Sequence, residues 1–290
     1  MTVLRFAPTP NGLLHLGHAY SALRNGELAA RLGGKLLLRF EDIDPERCRP
    51  EFEAAILEDL DWLGVRCEPN PRRQSEHADD YAAAFHGLER RGLVYPCYCA
   101  RGQIAAASAE RDPDGAALHR GRCAAVGEAE TRARLARGEP ANWRLDVARA
   151  MAEAPSLSWR EYYEGDAAAI VAAEPQAWGD VVVAAKRRPA VYHLAVVVDD
   201  ALQGVTDVAR GRDLFAATSL HRLLQALLGL PAPRYRHHRL VLDGEGAKLS
   251  KSAKSESLRA LRARGFSAAD VRAALGFGPH GERRLAATLS

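Results

Sequence analysis

The sequence predicts an α/β protein whose core is a parallel sheet with crossover helices, and three observations predict it. Residues 2–7, TVLRFA, are a short apolar run that enters a loop of Pro, Thr, Asn and Gly. The next segment, HAYSALRNGELAARLGG, carries Ala and Leu at helical spacing and ends at Gly33 and Gly34. KLLLRFEDID then has the pattern of a buried strand. Strand, helix and strand in that order form a βαβ unit, which implies a parallel, Rossmann-like sheet.

The later segments extend this frame. EFEAAILEDLDWLG is the next amphipathic helix, and YAAAFHGLERRGLVYPCYC another that runs into a pair of cysteines. From 97 to 165 Ala, Arg and Gly dominate and apolar periodicity is weak, as expected of an insertion. Strong patterning returns in WGDVVVAAKRRPAVYHLAVVVDDALQGVTDVARGRDL, which predicts two apolar strands, followed by a helix, FAATSLHRLLQALLG. RYRHHRLVLDGEGAKLSKSAKS offers a short strand and a polar, glycine-containing loop. In the tail FSAADVRAALG, Ser267 and Asp270 stand at capping-box spacing before a short helix. The expected organisation is the first half of a Rossmann-like domain over 1–96, an insertion over 97–165, the second half over 166–230, and a lysine-bearing loop with a short helical C-terminal segment over 231–290.

Composition narrows the class. The chain has 290 residues, 47% hydrophobic and 27% charged, which suits a globular protein with a sizeable core and argues against a disordered or fibrous one. A net charge of +3 permits a nucleic-acid partner without demanding one, so RNA contact has to come from local basic patches. The N-terminus lacks a signal-peptide pattern, and no run approaches the roughly 18 apolar residues that span a bilayer. A cytoplasmic monomer with no membrane partner is the expectation.

Two motifs carry phosphate chemistry. A helix N-terminus exposes unpaired backbone N–H groups and the positive end of the macrodipole, so a loop of little bulk there can cradle phosphate. Pro8, Pro10 and Gly12 would shape that loop, His15 and His18 share a helix face, and Gly17 lets a flat adenine or ribose approach the backbone. Near the other end, KLSKS places Lys248 and Lys251 in a loop where flexible ammonium groups can follow a departing phosphate. Either motif alone has a bland alternative, as capping histidines or solvated lysines. Together, on a βαβ frame, they outweigh those alternatives and point to a nucleoside triphosphate.

A third cluster points to metal. Five cysteines, an odd number, do not suggest a disulfide framework. Cys97 and Cys99 are followed by His119 and Cys123, four soft or imidazole ligands with a short loop between the halves, a set that suits one tetrahedral zinc. Four protein ligands leave no open position, so its role would be structural.

HLGH and KLSKS resemble the two signature motifs of class I aminoacyl-tRNA synthetases, and RFAPTPNGLLHLGHA, LRFEDIDPER and VYHLAVVVDDALQGVTDVARGRDL resemble the glutamyl branch, from Leu4 to about Ser252. The resemblance implies a ligase that activates L-glutamate with ATP and Mg²⁺ to glutamyl-adenylate. It implies Glu41 on the glutamate ammonium, with Arg5, Tyr192 and Arg210 sharing the carboxylates and Thr9 lining the pocket. It implies Pro8, Gly17, His18 and Lys251 as ATP-binding, with His15, His18, Lys248 and Lys251 as catalytic. An alternative for the charged residues is ion pairing at strand ends, Arg39 with Glu41 or Arg210 with Asp207 or Asp213. The chain departs from the family at Val196, where Asn is usual, and at His119, where Tyr is frequent.

Members of the family that charge tRNA continue past the lysine loop into an anticodon-reading half, whereas 38 residues follow Ser252 here. The resemblance to paralogues without that half implies a different acceptor, the queuosine in the anticodon arm of tRNA(Asp). The alternative is a truncated or discriminating glutamyl-tRNA synthetase that charges a tRNA 3′ end. Lys186, Arg187, Arg188 and the basic patch Arg234 to Arg239 are candidate phosphate contacts.

Overall fold

A computed structural model of the chain describes residues 1–121, 126–154, 156–163, 166–242 and 256–277. The chain packs into two compact units, one of Met1–Glu76, Val205–Asp213 and Tyr235–Ser290, the other of His77–Gly204 and Leu214–Arg234.

The first unit opens with β1 (Val3–Phe6), α1 (Leu16–Arg31), β2 (Lys35–Phe40), α2 (Pro50–Trp62) and β3 (Arg72–Arg73). β1 lies parallel to β2, Val3 opposite Lys35 through Phe6 opposite Leu38, and β2 lies parallel to β3. This is the βαβ unit that the sequence predicts. Gly33, at φ 59°, ends α1 in the left-handed region. Gly34 has no room for a side chain, because a Cβ would sit 2.6 Å from the Thr2 carbonyl oxygen. Leu4, Phe6, Leu23, Leu28, Leu36, Leu38, Phe40, Ile56 and Leu60 fill the core beneath. Each such side chain contributes roughly 1.5–3 kcal/mol by leaving water.

The second unit holds α3 (Ala78–Arg90), β4 (Val94–Cys97), α4 (Arg101–Ala107), α5 (Glu128–Ala136), β5 (Asn142–Leu145), α6 (Val147–Glu153), β6 (Ser158–Tyr162), β7 (Ala168–Ala172), β8 (Val182–Ala184) and α7 (Tyr192–Leu202). The chain then returns to the first unit with β9 (Asp207–Gly211), which lies beside β1 through the Thr206 N–H to the Val3 carbonyl. α8 (Thr218–Leu228) belongs to the second unit; β10 (Arg234–His238), α9 (Leu258–Ala263) and α10 (Ala268–Ala274) follow. Ser267 caps α10 with the reciprocal bonds to Asp270 that its spacing predicts.

Two features depart from the sequence patterns. Between β8 and β9, the two strands of the patterned segment, the valine-rich run 192–202 is a helix. Residues 194 to 200 are all buried, and a helix that is apolar all round has no periodicity to separate it from a buried strand. Residues 97–165, weakly patterned, do not form a separate body: β5 pairs antiparallel with β4 on one side and β8 on the other. No helix of the described residues is long and apolar enough to cross a membrane.

Candidate active site

α1 begins with its two histidines locked together. His15 is the N-cap, and its Nδ1 accepts from the Gly17 N–H at 3.1 Å. His18 Nδ1 accepts in return from the His15 N–H at 3.2 Å, and the rings lie 3.8 Å apart, centre to centre. Because each Nδ1 is an acceptor, the proton of each neutral ring sits on Nε2. The pair therefore completes a capping box and sets both Nε2–H groups at the positive end of a helix. Gly17 serves this arrangement directly: a Cβ would press on the His15 ring at 3.0 Å.

The loop before α1 is tied to the end of β2. The Pro8 carbonyl accepts from the Glu41 N–H at 3.1 Å, and Thr9 is half-buried beside it. Arg5 is buried on β1. Glu41 forms the strand-end ion pair with Arg39, Nη2 to carboxylate at 3.3 Å, and Arg39 itself is fully buried. Arg210, buried on β9, donates from Nε to His237 Nε2 at 3.1 Å and lies over the Tyr235 ring, while Asp207 meets Arg236. Arg5, Thr9, Glu41 and Arg210 thus belong to the first unit. Tyr192 stands in the first turn of α7, in the second unit, packed against the His193 and His221 rings. Lys248 and Lys251 lie outside the described residues. Around their loop, Val241 and Leu258 share the first unit's core, and His15 forms an antiparallel bridge with Ser257.

The cysteine cluster lies in the second unit. Cys97 Sγ and Cys99 Sγ sit 3.6 and 3.8 Å from His119 Nε2, and the three ligand atoms lie within 4.8 Å of one another, all buried. A tetrahedral zinc with Zn–S near 2.3 Å and Zn–N near 2.05 Å separates S from N by about 3.6 Å, so the donor set fits that ion. Cys123 lies outside the described residues. Burial, helped by the Arg144 charge and opposed by Asp180, pulls the His119 imidazole down to about 4, so the ring is neutral, as a ligand must be. Cys67, half-buried elsewhere, is pushed up to about 11 by burial and is an inert thiol.

Two residues of this site escape sequence reasoning. Tyr95 Oη meets His119 Nδ1 at 3.1 Å and donates to Asp180 Oδ2 at 2.7 Å. Asp180 is 85 positions from Tyr95 and carries no local motif.

A parallel-sheet unit whose first crossover helix opens on a cap of two paired histidines fits the catalytic domain of a class I aminoacyl-tRNA synthetase. The family described as tRNA synthetases class I (E and Q), catalytic domain, matches residues 1–287. The chain is 42% identical over 289 residues to a glutamyl-Q tRNA(Asp) synthetase of Rhodobacter capsulatus, covering 94% of this chain and 99% of that one. It is 37% identical to glutamate–tRNA ligase 2 of Nitrosococcus oceani, covering 90% of this chain but 56% of that ligase. Its structure is similar to a crystal structure of a glutamate tRNA ligase from Elizabethkingia meningosepticum in complex with its amino acid, with a TM-score of 0.70 and 27% identity, over 91% of this chain and 53% of that one. The chain therefore spans about half the length of these glutamate–tRNA ligases. It belongs to this family of ligases, and within it to the glutamyl-Q tRNA(Asp) synthetases.

Proposed function

We propose that the chain activates glutamate with ATP in the absence of tRNA and transfers the glutamyl group to queuosine in the anticodon of tRNA(Asp). The observation that carries the nucleotide half is the locked His15–His18 pair at the N-terminus of α1, in which each Nδ1 accepts a backbone N–H. The glutamate α-carboxylate attacks the α-phosphorus of ATP, the bond from that phosphorus to the bridging oxygen breaks, and pyrophosphate leaves with the electron pair. No enzyme nucleophile takes part, so catalysis is positioning plus stabilisation of charge.

In this reading His15 and His18 donate to phosphate oxygens, Pro8 and Gly17 shape the ATP site, and Mg²⁺ accompanies the nucleotide. Lys248 and Lys251 follow the leaving pyrophosphate. Glu41 takes the substrate ammonium, oriented by Arg39, while Arg5, Tyr192 and Arg210 share its carboxylates beside Thr9. Cys97, Cys99 and His119, with Cys123, hold one zinc that stiffens the unit.

The similarity to the glutamyl-Q tRNA(Asp) synthetase of Rhodobacter capsulatus supports the queuosine step. A hydroxyl of the queuosine cyclopentenediol attacks the mixed anhydride and AMP leaves. The anticodon arm's phosphates meet Lys186, Arg187 and Arg188 and the basic strand Arg234–His238. We place the reaction in the cytoplasm and assign it to a monomer.

Glutamate-dependent ATP–pyrophosphate exchange without tRNA tests the first step, and its absence overturns the reading. Transfer of labelled glutamate to tRNA(Asp) lacking its 3′-terminal adenosine tests the second. Labelling only when queuosine is present supports the proposal; labelling only of intact 3′ ends supports the truncated glutamyl-tRNA synthetase instead.

A further inference from the structure

Hydrogen-bond counting at His119 identifies two residues that nothing so far assigns a role. The Asp180 carboxylate is an acceptor: Oδ1 takes the Val147 N–H at 3.0 Å, and Oδ2 takes the Gly121 N–H at 2.6 Å. The Tyr95 hydroxyl lies 2.7 Å from the same Oδ2 and 3.0 Å from the Gly121 carbonyl oxygen, both acceptors, so its single proton serves these oxygens, Asp180 being the nearer, and is not available to His119. Its lone pairs then face His119 Nδ1 at 3.1 Å, and the imidazole has to be the donor of that bond. With Nδ1 protonated, the lone pair of the neutral ring is on Nε2, the nitrogen that faces Cys97 and Cys99.

The backbone is clamped as well. The Asp180 N–H donates to the His119 carbonyl at 2.6 Å, and the Asp180 carbonyl accepts from Arg144 Nη1 at 2.5 Å. Gly179, at φ 58°, presses so close that a Cβ would lie 2.5 Å from the His119 carbonyl oxygen. Strand β4 supplies Tyr95 and Cys97 together, so the relay and the ligands share one rigid element.

We propose that Tyr95 and Asp180 are positioning residues for the metal ligand His119: the chain Asp180 carboxylate, Tyr95 hydroxyl, His119 Nδ1–H sets the tautomer and ring plane, so that Cys97, Cys99 and His119 are arrayed before the ion arrives. The proposal rests on the reading that this cluster holds zinc, a divalent cation of borderline softness that accepts thiolate and imidazole together. Outer-shell partners of this kind are worth about 10–100-fold in metal affinity.

Two measurements on the full-length chain, reduced and freed of metal, test it. The first is the ¹⁵N chemical-shift pattern of its labelled histidines, assigned with His119→Gln. His119 is expected as a single Nδ1–H tautomer in the parent chain and as a mixture in Tyr95→Phe. The second is zinc affinity by competition with a chromophoric chelator. Tyr95→Phe is expected to lose about 10–100-fold, with the melting temperature of the metal-free protein unchanged within a few degrees. Asp180→Asn, which keeps an acceptor but removes the charge, is expected to lose less, and it decides the matter if Tyr95→Phe does not fold. An Nε2–H tautomer in the parent chain overturns the relay, as does zinc affinity within twofold of the parent in the folded variants. A parent chain that binds no zinc overturns the zinc reading instead, and the tautomer still decides the relay.

Discussion

His15 and His119 present the same nitrogen, Nε2, to opposite kinds of ligand. At the start of α1 each imidazole accepts a backbone N–H on Nδ1, so Nε2 carries a proton and suits an anion. In the second unit the His119 Nδ1 donates to a tyrosine, so Nε2 carries a lone pair and suits a cation. What a histidine does is thus decided on the far side of its ring, by the partner of Nδ1. The two sites also differ in how they are built. The His15–His18 pair is closed by bonds spanning two and three residues, whereas the His119 site needs contacts spanning 24 residues to Tyr95 and, from there, 85 to Asp180.

The largest effect should come from removing the anion-facing donors. His18→Ala is expected to lower glutamate-dependent ATP–pyrophosphate exchange by about 10²–10³-fold, the usual loss for a donor to developing charge. The lost cap costs about 1 kcal/mol, so the variant stays folded. Exchange that persists undiminished would break the anion half of the comparison. Cys97→Ser acts on the cation half: bound zinc should fall from one equivalent to trace by metal analysis of protein purified under reducing conditions. Exchange should fall less than tenfold, because a closed metal site is structural; a loss as deep as that of His18→Ala would make the metal part of the chemistry.

A third test separates burial from pairing as the control of ionisation. The Asp59 carboxyl is fully buried on α2 and accepts from Arg262 Nη2 at 2.8 Å, yet burial outweighs the nearby guanidinium and pushes it up from 3.8 to about 6. A native state that holds this proton more tightly than the unfolded chain loses stability as pH rises from about 4 through about 6. Asp59→Asn should therefore raise the melting temperature at pH 7.5 and change it little at pH 4.5. The reverse order would show that the ion pair prevails. The smallest effect is expected at α10, where Ser267→Ala removes one half of a capping box and should lower the melting temperature by about 2–4 °C with exchange unchanged.

Legibility in the sequence followed the range of the interactions. The βαβ opening was legible because TVLRFA, the Ala and Leu spacing and KLLLRF each carry their own period, and Gly33 and Gly34 mark the turn between helix and strand. The Ser267 cap was legible for the same reason. The helix at 192–202 was not, since a fully buried segment loses the polar face that reveals its period. Gly17 was assigned to an approaching nucleotide, and the space it leaves is taken first by the His15 ring.

The sequence by itself determined the α/β opening, the spacing of the paired histidines and the candidate metal ligands, because those properties reside in residues a few positions apart. Tertiary structure alone decided that Val94–Cys97, Asn142–Leu145 and Val182–Ala184 form one antiparallel sheet, and that Asp180 reaches Tyr95 and through it His119. The physical reason is that a strand edge or a buried acceptor is satisfied by whichever partner the packed chain brings to it, and nothing in the local spacing names that partner.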